Sequence, residues 1–180
     1  MSVTLRGPAA LACLGVVLIA GCQKKPEPQL HDSMAQVVVP QSQVLWDVTN
    51  GVLNDEGVPD PAKLSDADWK KISDAATLMK ERATILAEEK NVKVADEGVR
   101  IQDQDGPGAS KAADVQRFID AKPADFSAHA RKLANVSDAF LVAAKHKDAS
   151  KLGEASNAMD GVCEACHLEF WYPQQQTQQP

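Results

Sequence analysis

Four stretches of the chain repeat apolar residues at alternating steps of three and four, the period of an α-helix that buries one face, and the two-residue alternation of strands is nearly absent. That pattern points to an all-α fold. The first stripe is Met34, Val38, Gln41, Leu45, Val48 and Val52, and Pro40 inside it predicts a kink or a late helix start. The second is Trp69, Ile72, Ala76, Met79, Ala83 and Leu86, introduced by Ser65 as N-cap with Asp68 closing a capping box. The third, Phe126, His129, Leu133, Val136, Phe140 and Ala143, opens at Pro123 and closes on the basic "KHK" of residues 145–147, which suits a helix C-terminus. The fourth is capped by Asp148 and carries Leu152, Ser156, Met159, Cys163, Cys166 and Phe170.

Helices of roughly 20 residues joined by short links predict an antiparallel four-helix bundle over residues 34–172. The long connection between the second and third helices begins with Gly-rich, aperiodic sequence. It then reads as one extra short helix, 110–122, that turns Val115, Phe118 and Ile119 inward. Residues 22–33, polar and Pro-containing, are expected to be a flexible tether, and residues 173–180, rich in Gln, a disordered tail.

The first 21 residues stand apart from this pattern. Arg6 supplies a basic start, residues 9–20 are an apolar run too short to span a bilayer, and "IAGC" ends the run with small residues before Cys22. The segment resembles a bacterial lipoprotein signal, with Cys22 expected to carry lipid; an ordinary secretory signal is the alternative. Gln23 is not the Asp associated with inner-membrane retention, so the expectation is a periplasm-facing lipoprotein, with the outer membrane favoured. The net charge of −6 argues against nucleic acid as a partner, so membrane attachment would rest on acyl chains rather than on a basic patch.

Removal of the signal takes Cys13, and lipidation consumes Cys22. Of the four cysteines, Cys163 and Cys166 remain, in a compartment where free thiols rarely persist. They stand in "CEACH" with His167, the C-x-x-C-H spacing of covalent haem attachment, in which two thiols add to the haem vinyl groups and the imidazole ligates iron. On a helix these positions share one face. A zinc site would need two more ligands, and a thioredoxin-like dithiol belongs at a helix N-terminus after a strand. A disulfide across so short a loop would stabilise little.

A four-helix pattern with C-x-x-C-H in its last helix resembles the class II cytochromes c, the group of cytochrome c prime and its low-spin relatives. The resemblance implies one covalent haem c on Cys163 and Cys166, with His167 as the fifth iron ligand. In this family the sixth position is either vacant behind an apolar residue of the first helix or filled by a Met near that helix's start. Met34 is the candidate here; His129, Met79, Met159 and His31 are weaker ones. One departure concerns the position four residues after His167, where members of the group often carry Arg or Lys and this chain has Trp171.

These expectations converge on one-electron transfer without enzymatic activity. No nucleophile triad, phosphate loop or second metal motif is present in the sequence. The alternatives are a five-coordinate protein that binds nitric oxide or carbon monoxide, and a haem-free helical lipoprotein that only binds a partner. The redox partner is unknown, and pairing of two copies as a homodimer is compatible with the pattern.

Overall fold

The structure, a computed structural model, describes residues 29–178. The expected signal peptide, Cys22 and most of the tether lie outside these residues. Among the described residues the fold is all-helical, and the only strand-like feature is an isolated bridge between Leu53 and Pro59.

A first helical run begins with α1 (Leu30–Ser33), widens into a π turn (Met34–Val38) and continues as α2 (Val39–Gly51). It starts four residues earlier than the tether boundary implies, because the Leu30 and His31 amides donate to the carbonyls of Lys93 and Val94, both at 2.8 Å. Ser33 is consequently buried. The expected kink at Pro40 takes the form of the π turn. Proline has no N–H, and its ring would clash with the carbonyl of Gln36; the wider turn relieves this, and the Val39 amide reaches back five residues to Met34.

The second long helix, α3 (Asp66–Glu88), carries the anticipated capping box of Ser65 and Asp68. A short helix, α4 (Ala112–Ala121), occupies the long connection and buries Val115 and Ile119. Next comes α5 (Pro123–His146), which opens on its proline and ends in a left-handed Lys147. The last, α6 (Ala149–Phe170), is capped by Asp148 accepting from the Lys151 amide. Every residue of the second and third stripes is buried.

Packing is pairwise: α2 against α3, α3 against α5, α5 against α6, and α6 back against α2. One apolar cluster, centred on Leu45, Ile72, Met79, Phe140, Leu152 and Met159, fills the space between these four. A second, with Leu86, Val92, Ile119, Phe126 and Phe170, lies beneath the long connection and α4. Met34 packs against both clusters, Cys163 against the first and Cys166 against the second, so the motif sits at their junction. After α6, Pro173–Gln178, within the stretch expected to be a disordered tail, forms a 3₁₀ turn, and Gln175 Nε2 donates to the Pro107 carbonyl at 3.4 Å; residues 179–180 lie outside the described residues.

Candidate haem-binding site

The i, i+3, i+4 geometry of the last turns of α6 brings Cys163, Cys166 and His167 to one face. All three line a single apolar cavity of about 110 Å³. Met34 and Val38 enter it from the π turn, Trp46 from α2, Leu86 from α3, and Phe126 and His129 from α5. Of the five candidates for a second axial ligand, Met34 and His129 therefore reach the cavity and the other three do not. Met79 is fully buried in the first cluster, where its sulfur accepts from Ser42 Oγ at 3.5 Å. Met159 is likewise sealed in that cluster, and His31 pairs with its neighbour Asp32.

No disulfide joins the two thiols. Burial, reinforced by the Asp160 carboxylate, pushes the Cys163 thiol up to about 11. Burial, then Cys163 and Glu169, pushes Cys166 up to about 12. Reactive dithiols depend on a lowered thiol pKa, so this environment is the opposite of a thioredoxin-like centre. The imidazole of His167 is held below its ordinary value, chiefly by burial, with Glu164 opposing. A neutral imidazole is the form that ligates a metal. Among the described residues no three His, Cys, Asp or Glu side chains converge on a bare metal ion.

His129 adds a polar atom that the fold does not satisfy. Its Nε2 pairs with Glu169 at 2.9 Å, while Nδ1 is buried without a hydrogen-bond partner. Buried imidazole nitrogens are normally paired, and this side chain lines the cavity. The sequence pattern placed His129 on the α5 stripe but could not show that its partner would be Glu169, two residues beyond His167. Trp46 is tied across to α6 by its indole N–H, which donates to Asp160 at 2.8 Å. Arg82, half-buried on α3, donates to Ser33 at 3.2 Å and has no carboxylate partner among the described residues. Arg131 and Lys132 are exposed.

The residues present suit a haem in their chemistry. Two thiols and a neutral imidazole share a face, a thioether lines the same cavity, and the walls are apolar. His129 Nδ1, left unpaired while Nε2 faces Glu169, gives the cavity one polar atom in its wall. The cavity is smaller than the roughly 300–1,000 Å³ of ordinary ligand pockets, so a porphyrin would enter by displacing half-buried side chains such as Met34 and Trp46. A larger hollow of about 400 Å³, lined by Glu89, Lys93, Gln116 and Asp120 among others, contains neither thiol nor imidazole.

Comparisons with protein-family models, with curated proteins and with solved structures give no match.

Proposed function

We propose that this protein is a periplasm-facing, lipid-anchored c-type cytochrome of the class II kind, carrying one covalent haem and transferring single electrons. The observation that carries this reading is the shared cavity: Cys163, Cys166 and His167 line one apolar space together with Met34, which is distant in sequence. The pairwise packing of α2, α3, α5 and α6 supports an antiparallel four-helix bundle with α4 as the extra helix, an arrangement that holds cofactors between facing helices.

In this reading Cys163 and Cys166 would hold the haem through thioethers, and His167 and Met34 would ligate its iron. Bound there, the haem supplies reversible Fe(III)/Fe(II) chemistry. The chain's own part is to fix the ligands, exclude water and set the potential. Trp46, Leu86 and Phe126 keep the walls apolar, which favours the less charged reduced state. Burial keeps His167 neutral and ready to ligate. Arg82, which donates to Ser33 on the first helical run and has no carboxylate partner among the described residues, would be a cation available to a haem propionate. Cys22, with its acyl chains, would anchor the domain to the membrane. No helix among the described residues is long and apolar enough to cross a membrane.

The test is an absorption spectrum of the protein made in a host that attaches haem, oxidised and reduced, with and without carbon monoxide. A low-spin spectrum indifferent to carbon monoxide is expected. A high-spin spectrum that shifts with carbon monoxide would assign gas binding instead, and absence of haem bands would leave a helical interaction lipoprotein.

A further inference from the structure

The imidazole of His167 is covered by two aromatic rings. Trp171 meets it edge-on with centroids 5.0 Å apart, and Tyr172 meets it at 5.8 Å. The two rings stack on each other, 5.0 Å apart and 22° from parallel. This corner follows from how α6 ends. The His167 carbonyl accepts both the Trp171 amide, at 2.8 Å, and the Tyr172 amide, at 2.9 Å, which curls the chain back over its last turn. Pro173 then provides no amide to extend the helix. The long connection braces the corner, with the Ser110 amide donating to the Trp171 carbonyl at 2.9 Å. Both rings remain partly exposed, so a continuous aromatic contact runs from the proposed iron ligand to the surface.

Two carboxylates flank the corner, and the exposed Lys111, which follows Ser110, stands near it as well. Glu164 and Asp103 are both exposed, and neither has a cationic partner among the described residues. Their proximity is felt by the Tyr172 phenol, which is pushed upward by burial first and then by these two carboxylates. The nearby Arg100 is engaged by Asp105. Trp171 Nε1 and Ser110 Oγ are buried without a hydrogen-bond partner among the described residues.

We propose that the corner of Trp171 and Tyr172, flanked by Glu164 and Asp103, is the docking surface for a basic electron-carrier protein that exchanges one electron with the site through the stacked rings. The inference rests on the haem reading above. One electron passes from the reduced protein to the oxidised one; no bond forms or breaks, no proton moves, and neither ring is itself oxidised. Unpaired carboxylates steer and orient a cationic partner, and packed rings shorten the gap it must bridge.

The experiment uses the haem-loaded protein with a lysine-rich mitochondrial-type cytochrome c as the probe. Affinity is measured by calorimetry and transfer rate by stopped flow, each across a range of salt. Binding should weaken as salt rises, and Glu164→Lys with Asp103→Lys should lower affinity and rate by about ten-fold at low salt without altering the haem spectrum. Tyr172→Leu should slow transfer while leaving the salt dependence intact, and Tyr172→Phe should restore the rate. A haem-loaded protein whose affinity and rate ignore these substitutions overturns this inference alone. A preparation without covalent haem overturns both this inference and the reading beneath it.

Discussion

Met34 and His167 line the same apolar cavity from opposite ends of the described chain, Met34 from the π turn and His167 from the last turn of α6. In the proposed haem reading, that relationship makes Met34 the residue whose replacement tests ligation of the iron.

In the haem-loaded protein, Met34→Ala is expected to convert a low-spin spectrum indifferent to carbon monoxide into a high-spin one that binds it. The side chain is half-buried, so the cost in folding stability should stay under about 2 kcal/mol, below the usual range for a core Met→Ala change. An unchanged ligand field in the variant would falsify Met34 as a ligand.

The thiols give a prediction in pH. With Cys163 at about 11 and Cys166 at about 12, each is almost wholly protonated near neutrality. In the folded haem-free protein, alkylation of Cys163 at pH 8 should run about 100-fold slower than for an ordinary cysteine and rise about ten-fold per pH unit. The raised values also favour the folded state while the thiols are protonated. That contribution is complete below the ordinary value of 9.0 and is lost as pH climbs through 11 and beyond. Alkylation at the rate of a free thiol, with the protein still folded, would show the cleft to be open.

The helical architecture was legible in the sequence because it depends on local spacing. The stripe of Trp69, Ile72, Ala76, Met79, Ala83 and Leu86 needed only the 3.6-residue period, and Ser65, Pro123 and Asp148 marked starts through their backbone chemistry. The thiols and His167 were legible for the same reason, as three positions on one helical face. Relations between distant segments were not. Leu30 joins the first helix through carbonyls some sixty positions away in the long connection, and Gln175 reaches the Pro107 carbonyl. The family resemblance is what puts Met34 ahead of Met79 and Met159; the period alone leaves helix rotation loose where a π turn intervenes.

Glu169 supplies a second pH test, away from the thiols. Its carboxylate accepts from Lys122 at 2.9 Å and pairs with His129 at 2.9 Å. The Lys122 hydrogen bond is the main cause that holds its pKa below the ordinary carboxyl value, with His129 contributing and burial opposing. A lowered folded-state pKa stabilises the fold above the unfolded value and is lost as pH falls through the folded one. Glu169→Gln should therefore cost about 1 kcal/mol in denaturant unfolding of the haem-free protein at pH 7, and markedly less at pH 3. An equal loss at both pH values would assign the cost to packing.

Pro40 tests the origin of the π turn and, through it, the aim of Met34. The proline removes an amide from the first helical run, and the widened turn immediately before it carries one extra residue relative to α-helical winding. Each residue of an α-helix advances about 100° around the axis, so closing that turn would rotate everything N-terminal to it by about that angle. Met34 stands at the start of the turn and would swing away from the cavity. Pro40→Ala restores the amide and removes the ring clash, which favours regular α-helix by up to about 3 kcal/mol. The haem-free variant should therefore unfold at higher denaturant than the natural chain. The haem-loaded variant should lose its sixth ligand and bind carbon monoxide, although Met34 itself is unchanged. If Pro40→Ala gains stability but keeps a low-spin spectrum indifferent to carbon monoxide, the turn is set by the packing of Met34 and Val38 against α3 and α5 rather than by the proline.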